Sequence, residues 1–425
     1  MRTKELLGSM IALAVISSLA WADPAPGTNI TTQNWQQYKE SMPLGMQELF
    51  AGKYAWRMPP DAVMQVTAAV PIHLPAKYLQ DTEKYAGQVK MVRMAGGGFL
   101  LRDYVAGMPF PKPSGPERGE QILFDTWYRY QPWVMTGMVG NAEIDSYGNI
   151  TNTVVGEVNF KFRHISDVGL PPFYPGADDM FTVANLEVLQ PEQSKYTTNL
   201  VIVPDNLTEE QQNYVFLPSL RRSLRLSTAA RCSPLVGGDY TPDDINLLNI
   251  QIPQFTAKSL GDRKILMVMH SARPFINSTA ESEFTRIAYP PLMWPRPQYA
   301  KWELRDAYVI DIRPVPSYAK GYCYSRRVLY VDKDTMAPGW VDLYDKNGKL
   351  WKTGPEVNYP LTVPGTNGEQ LALPAGAWSE LWDLQNVHSS ISVPMEPARF
   401  TEDVAAKYKN VERYATPAGL DQVMQ

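Results

Sequence analysis

Residues 302–351, WELRDAYVIDIRPVPSYAKGYCYSRRVLYVDKDTMAPGWVDLYDKNGKLW, decide the fold of this protein. Their alternation of Val, Ile and Tyr with polar residues predicts four antiparallel strands, because a period of two suits a pleated sheet. Tight turns are predicted at 332–334 and at 345–348, where Asn-Gly is a strong hairpin signal. One face of the first strand carries Tyr308, Ile310 and Ile312. A meander of this kind cannot bury that face alone, so further strands must enclose it.

The composition of the whole chain favours strands joined by stiff loops. The sequence has 23 tyrosines, 11 tryptophans and 36 prolines, and its hydrophobic content of 44% is enough for a real core. We expect a mainly β domain over 61–397, with a helical segment before it at 23–60 and another after it at 398–425. After Trp351 the pattern of the sequence turns irregular.

The first 22 residues have the pattern of a secretory signal peptide. A positively charged start precedes an apolar run, and Ala20-Trp21-Ala22 is the small-x-small site that signal peptidase requires. A retained anchor or a buried first helix is the alternative, but Pro24 and Pro26 disfavour a continuing helix. No cysteine stands directly after the cleavage site, where residue 23 is Asp23, so we expect no lipidation. The prediction is a periplasmic protein, released by cleavage after Ala22, in a host with two membranes.

The chain has two cysteines, Cys232 and Cys323. Two cysteines in an exported protein most often pair, because the compartment is oxidising. We therefore predict a disulfide between Cys232 and Cys323. Two buried free thiols are the alternative.

Charge and motifs argue against several classes of function. A formal net charge of −4 gives no electrostatic case for binding nucleic acid. The four histidines are scattered without metal-ligand spacing, and the sequence has neither a Gly-x-Ser-x-Gly elbow nor a Cys-x-x-Cys pair. We therefore predict no catalytic residue, no metal, no cofactor and no enzymatic activity.

Two local clusters stand out as candidate binding residues. The stretch 126–134 holds four large aromatic residues, which form either core or the lining of an apolar cavity: Trp127, Tyr128, Tyr130 and Trp133. A basic segment contains Arg221, Arg222 and Arg225. The aspartates that follow it are Asp239, Asp243 and Asp244. The arginines either form ion pairs with these aspartates across adjacent strands or bind an anion.

Several stretches of the chain resemble a known family. They are NWQQYKESMPLGMQELFAGKYAW, WYRYQP, YVFLPSLRRSLRLS, GGDYTPDD and YSRRVLYVDKDTMAPGWVDLYDKNGKLWK. In these stretches the chain resembles the bacterial envelope family called domain of unknown function 1329 (DUF1329), which is related to the lipoprotein carriers LolA and LolB. The resemblance covers nearly the whole chain after the signal peptide.

The resemblance implies a strongly curved antiparallel sheet, an incomplete LolA/LolB-like β-barrel, with helices at both termini and on its concave side. In the related carriers that hollow holds acyl chains. Members of the family often accompany envelope transporters of the resistance-nodulation-division (RND) type, which implies the handling of apolar compounds or lipids. The present chain is much longer than the carriers.

Two functions follow as alternatives. The first is a periplasmic binding or carrier protein for an apolar ligand, lipid or sterol-like, that works with an envelope transporter. Its cavity would be lined by Trp127, Tyr128, Tyr130, Trp133, Tyr308, Ile310 and Ile312. The second is an adaptor of an envelope transporter or an outer-membrane assembly that binds no small ligand. Its contact surfaces would be the Pro-rich loops 108–116 and 289–297.

Overall fold

The computed structural model describes residues 23–177, 179–227, 231–235, 238–272, 275–364, 370–400 and 403–424. The expected signal peptide at 1–22 lies outside the described residues. Within the described part of the chain, no helix combines the length and the apolar character that crossing a membrane requires.

The described residues contain twenty strands, β1 to β20, and seven α-helices, α1 to α7. The strands are Asn29–Ile30, Met64–Thr67, Lys90–Arg93, Phe99–Arg102, Val134–Ile144, Ile150–Lys161, Met180–Gln190, Thr198–Pro204, Gln212–Leu217, Arg222–Leu226, Phe255–Met267, Ala288–Tyr289, Trp294–Pro295, Trp302–Pro314, Arg326–Asp332, Pro338–Tyr344, Leu350–Pro364, Gln370–Asp383, His388–Pro394 and Arg399–Phe400. The helices are Leu44–Phe50, Ala76–Tyr85, Arg118–Trp127, Glu281–Ile287, Pro316–Ala319, Val411–Ala415 and Pro417–Leu420. Short 3₁₀ helices include Trp35–Ser41, Pro242–Leu247 and Ala406–Lys409.

Sixteen of the strands form one large sheet. Its order is β1-β2-β14-β15-β16-β17-β18-β19-β5-β6-β7-β8-β9-β10, with β11 beside β14 and β20 beside β5. The pairs are antiparallel except for a short parallel contact between β2 and β14. No pairing within the described residues joins β1 to β10, so the sheet is open. The mainly β, antiparallel architecture expected from the sequence is confirmed.

The meander at 302–351 forms β14 to β17 with the predicted turns. The carboxylate of Asp345 accepts hydrogen bonds from the backbone N–H groups of Asn347 and Lys349, each at 2.9 Å. The carboxylate of Asp332 accepts one from the backbone N–H of Thr335 at 3.1 Å. Both acidic turns are therefore organised by side chain to backbone hydrogen bonds, as turn chemistry predicts.

The sequence after Trp351 forms regular strands despite its irregular pattern. β17 continues to Pro364, and β18 and β19 follow it in the sheet. Prolines obscured the strand pattern. Pro360 lies opposite Pro374, in a part of the β17–β18 hairpin that extends beyond the pairing with β16 and β19. A proline is tolerated there because each strand has a sheet neighbour on one side only.

The terminal segments are helical only in part. The stretch 23–60 contains a 3₁₀ helix and α1, but it also supplies the short strand β1. The stretch 398–425 contains α6 and α7, but it begins with β20. Thr416 caps α7, as expected of a Thr-Pro pair, because its side chain accepts a hydrogen bond from the backbone N–H of Gly419.

The sheet curves around an apolar cluster on one of its faces. Ile310 of β14 and Val203 of β8 both belong to this cluster, although β15 to β19 and β5 to β7 lie between their strands in the sheet. Only strong curvature brings the two ends of the sheet onto one cluster, so this face is concave. Helix α3 lies on it and contributes Ile122, Leu123 and Phe124. The expected curvature is therefore present, with a helix on the concave side.

The convex face of β14 to β18 has a core of stacked tryptophans. The ring of Trp294 lies 5.4 Å from that of Trp302 and 5.7 Å from that of Trp382, centroid to centroid. Phe50 of α1 meets Trp294 edge-on at 5.8 Å. Trp294 belongs to the loop 289–297, so this part of the loop packs into the core, while Pro290 and Pro291 are exposed. The role of the loop as a contact surface stays a prediction.

The described residues of the segment 231–247, which are 231–235 and 238–247, are held to the sheet by a buried ion pair and a disulfide. Arg327 of β15 is 3% exposed, and its guanidinium lies 2.7 Å from the carboxylate of Asp244. Cys232 and Cys323 are bonded, which confirms the predicted disulfide. The segment therefore covers the concave side near β15 and β16.

We expect that replacing both cysteines, Cys232→Ala with Cys323→Ala, lowers the free energy of unfolding by about 4 kcal/mol. The reason is that the bond closes a loop with a sequence separation of 91 and restricts the unfolded chain. Urea titration with and without reductant measures the effect. Reduced wild type should match the double variant, and equal stability of all samples would contradict the prediction.

Candidate functional site

One half of the concave face is packed and the other half is open. On the packed half, Ile310, Leu329 and Val341 are no more than 1% exposed, because α3 and the 3₁₀ helix Pro242–Leu247 lie over β14 to β16. On β5 to β8, most residues that point to the same face remain half-buried, and Lys161, Val188 and Val203 near the strand ends are buried. We call this second half the concave trough.

The concave trough follows from the alternation of residues along β5 to β8. Val134, Val158 and Val183 point to the convex face, where the C-terminal segment covers them, so their chain neighbours point inward. The half-buried apolar residues of the trough are Met135, Val139, Val155, Ala184, Leu186 and Val201. Its half-buried polar residues are Asn141, Thr153, Glu157, Asn159 and Asn199. This mixture suits a molecule that is apolar along most of its length and polar at some positions.

Several residues expected to line a cavity are core residues instead. Ile310 and Ile312 lie in the packed half and are 0% and 1% exposed. Tyr308 is half-buried at its margin. Trp133 lies on the convex side, where its ring stacks on that of Tyr174 at 5.0 Å. The alternation that suggested an inward face was correct for β14, but α3 fills the space in front of it.

The other expected cavity residues lie on or beside α3. Tyr128 lines a cavity of about 390 Å³ together with Leu100 and Leu207. Trp127 is half-buried against the packed half. Tyr130 is half-buried and its hydroxyl donates a hydrogen bond to a carboxylate at 2.8 Å. Of the seven residues, the structure thus brings Tyr128 to a cavity and leaves the others in core or at its edges.

Two glutamates on the concave face are shielded from water. Burial raises the pKa of Glu356 to about 8, while the charge of Arg129 opposes the shift. Burial also raises the pKa of Glu157, while a hydrogen bond from Asn159 opposes that shift. Glu356 is therefore largely neutral at neutral pH, and it does not fully balance the positive charge of Arg129.

A second polar cluster lies where β5 and β19 pair. Glu143 lies directly opposite Ser390, and His388 precedes Ser390 by two residues on the same face. Asp239 reaches this row from a loop, and its Oδ2 lies 2.6 Å from Nδ1 of His388 and 3.1 Å from the hydroxyl of Ser390. That hydroxyl also donates to Glu143.

The ligand atoms of Glu143, Asp239 and His388 all lie within 4.8 Å of one another. Two carboxylates and one imidazole are a donor set that can hold a divalent cation. Sequence reasoning missed this cluster because its members come from three distant parts of the chain. Only the pairing of β5 with β19 brings them together, so no spacing signal exists in the sequence.

The basic segment lies on the exposed edge strand β10 and the turn before it. Arg221, Arg222 and Arg225 are all exposed, and none of them has an ion-pair partner among the described residues. The expected ion pairs are wrong, because Asp243 and Asp244 pair with other arginines. Those arginines are Arg231 and Arg327. Binding of an anion or an acidic partner by the three exposed arginines stays a prediction.

Comparisons with known proteins find a matching family model and a relative of low sequence identity. The family model "Protein of unknown function (DUF1329)" matches residues 29–418. The uncharacterized protein PA3922 of Pseudomonas aeruginosa is 22% identical in an alignment over 347 residues, and the match covers 78% of this chain and 69% of that protein.

Two solved structures show similarity at low sequence identity. A DUF1329 family protein from Desulfovibrio piger has a TM-score of 0.48 and 13% identity, covering 71% of this chain and 100% of that chain. The LolA superfamily protein NE2245 from Nitrosomonas europaea has a TM-score of 0.39 and 13% identity, and the match covers 68% of this chain and 96% of that chain.

We expect Glu143→Gln to remove a dependence of stability on pH. Burial raises the pKa of Glu143 from 4.5 to about 7, so folding favours the neutral acid. The stability that this group contributes is complete below its unfolded pKa and is lost as the pH rises through its folded pKa. Glutamine resembles the neutral acid, so the variant should match wild type at about pH 5 and exceed its free energy of unfolding by about 2 kcal/mol at about pH 8.

Urea titrations at both pH values, in buffer with a chelator, measure this difference. The matched control is Glu83→Gln on the exposed side of α2, which should leave the pH dependence of wild type unchanged. A Glu143→Gln variant with the wild-type pH profile would show that the carboxyl of Glu143 is solvated in the folded protein.

Proposed function

This chain belongs to the DUF1329 family, and we propose that it is a periplasmic binding or carrier protein for an apolar ligand, lipid or sterol-like, that works with an envelope transporter of the RND type. The description of the family assigns no reaction. The proposal therefore rests on the geometry of the concave trough and involves binding and release, without a chemical step.

The observation that supports the proposal is the unequal burial of one continuous concave face. The protein covers the concave face of β14 to β16 with its own helices, yet it leaves most apolar side chains on the concave face of β5 to β8 half-buried. A contiguous half-exposed apolar surface marks a place where another molecule binds. Covering it would contribute roughly 25 cal/mol for each Å² of apolar surface removed from water.

The adaptor function is the second candidate, and the edge strand β10 favours it. The outward backbone groups of β10 have no neighbouring strand in the described sheet, and Leu226 is 39% exposed beside the exposed Arg225. An edge of this kind can accept an extended segment of a partner, and arginines favour an acidic one. Crosslinking from position 226 in cells, followed by identification of the captured protein, tests this function. Capture of a partner by protein that carries no lipid favours the adaptor.

Extraction of the purified protein with organic solvent, followed by mass spectrometry, tests the carrier function directly. A lipid or sterol-like molecule in proportion to the protein supports it. Protein that carries no such molecule, and that binds none when offered, contradicts it.

We expect Ala184→Phe to weaken the binding of a fluorescent fatty-acyl probe by about tenfold, which corresponds to about 1.4 kcal/mol. Ala184 lies on the floor of the concave trough, opposite Asn159 and Val201, so a ring at this position would occupy the ligand space. Fluorescence titration measures the affinity.

The matched control is Ala406→Phe, which places the same ring on the exposed 3₁₀ helix Ala406–Lys409, away from the trough. It should bind the probe like wild type. Equal affinities of the Ala184→Phe protein and wild type would place the binding site elsewhere.

A further inference from the structure

Lys161 occupies an unusual position at one end of the concave trough. It is the last residue of β6 and lies opposite Thr182 of β7, so it shares the concave face with Asn159 and Glu157. The residue is only 3% exposed, and its ammonium group has no hydrogen-bond or ion-pair partner among the residues that the structure describes. Burying an unpaired charge costs free energy, so a buried amine without a partner indicates a functional position.

A second cation, Arg129, lies in the segment that leads to Trp133, and the backbone carbonyl of Trp133 accepts a hydrogen bond from the backbone N–H of Lys161 at 2.7 Å. Arg129 follows α3, is half-buried, and donates a hydrogen bond to the backbone carbonyl of Thr126 at 2.9 Å. Burial lowers the pKa of Lys161 to about 8; Asp167 opposes this shift, and the charge of Arg129 adds to it. The two cations therefore lie within electrostatic range of each other at the end of the trough.

The nearby carboxyl groups cancel only part of this positive charge. Asp167 supplies one negative charge, and its oxygens accept hydrogen bonds from the hydroxyl of Tyr130 at 2.8 Å and from the backbone N–H of Trp133 at 2.7 Å. Glu356 interacts electrostatically with Arg129, but it is largely neutral at neutral pH because burial raises its pKa to about 8. An anion entering from the trough would thus meet two donors in a poorly solvated place, where charge-assisted hydrogen bonds are strong.

We propose that Lys161 and Arg129 bind the anionic headgroup, a carboxylate or a phosphate, of an amphiphilic ligand whose apolar chain lies along the concave trough. This inference rests on the proposed carrier function and names the chemical class of its ligand. Six residues of β6 separate Lys161 from Val155, roughly 20 Å along an extended strand, which accommodates an extended acyl chain. The headgroup oxygens supply the acceptors that the ammonium of Lys161 lacks.

The test uses isothermal titration calorimetry to measure the affinities of wild type, Lys161→Met and Lys258→Met for three probes. Dodecanoate carries a carboxylate and dodecyl phosphate carries a phosphate. Dodecanol has the same chain and no anionic group. Methionine keeps the apolar stem of Lys161 and removes an unpaired buried charge, so the fold is retained, which thermal unfolding verifies. Lys258 is an exposed lysine of β11 and is the control.

We expect Lys161→Met to weaken the binding of the anionic probe that wild type binds more tightly by about tenfold or more. This is the loss typical of one charge-assisted hydrogen bond. Dodecanol should bind wild type and both variants equally, and Lys258→Met should bind all probes like wild type. Raising the pH from about 7 to about 9 should weaken the binding of the anionic probe to wild type and to Lys258→Met, and should weaken it much less for Lys161→Met, because only the first two proteins lose the charge of Lys161. The anionic probe that binds wild type with the higher affinity identifies the headgroup as a carboxylate or a phosphate.

Two results separate this inference from the proposed function. If wild type and Lys161→Met bind the anionic probes equally while dodecanol also binds, the headgroup site is overturned and the carrier function stands. If wild type binds none of the three probes, the carrier function itself fails for straight-chain ligands, and the inference fails with it.

Discussion

The burial of both faces of β14 to β18 is the constraint on which the rest of the structure depends. A sheet with two apolar faces needs a cover on each side. The N-terminal helices and the loop that carries Trp294 cover the convex face, and α3 with the segment 231–247 covers the concave face. The buried pair of Arg327 and Asp244 and the disulfide at Cys232 hold the second cover in place. These polar contacts stabilise the fold by orienting a cover whose main contribution is apolar burial.

The remaining strands of the same sheet have a covered face on the convex side only. On β5 to β8 the convex residues pack under the C-terminal segment, as Phe160 and Leu420 show, while the concave residues stay half-buried. Curvature brings this half-exposed surface opposite the packed half, so it becomes the wall of a trough. A binding surface thus arises because the covering helix α3 reaches β11 and β14 and leaves the inner face of β5 to β8 half-exposed.

Burial shifts the pKa values of the ionisable groups on the concave side of the sheet and so changes their charge at neutral pH. Burial favours the neutral form of Glu356 and Glu143 and lowers the pKa of Lys161, so the interior carries fewer charges at neutral pH than its composition suggests. Arg129 remains charged because a guanidinium has a very high pKa. A surface that is mostly uncharged but keeps a positive end matches an amphiphile with one anionic group.

The sequence by itself determined the strands β14 to β17, their acidic turns, the pairing of Cys232 with Cys323 and the resemblance to a curved-sheet family. The strands and turns rest on short-range patterns, since a period of two and turn residues act within a few positions of the chain. The pairing of the cysteines followed instead from there being two of them in a chain expected to be exported. Tertiary structure alone decided that α3 fills the space before Ile310, that β19 pairs with β5, and that Glu143 therefore meets His388. It also decided which face of β5 to β8 is concave. Such contacts join residues far apart in the chain, and they follow from burial of the whole sheet, which no local pattern encodes.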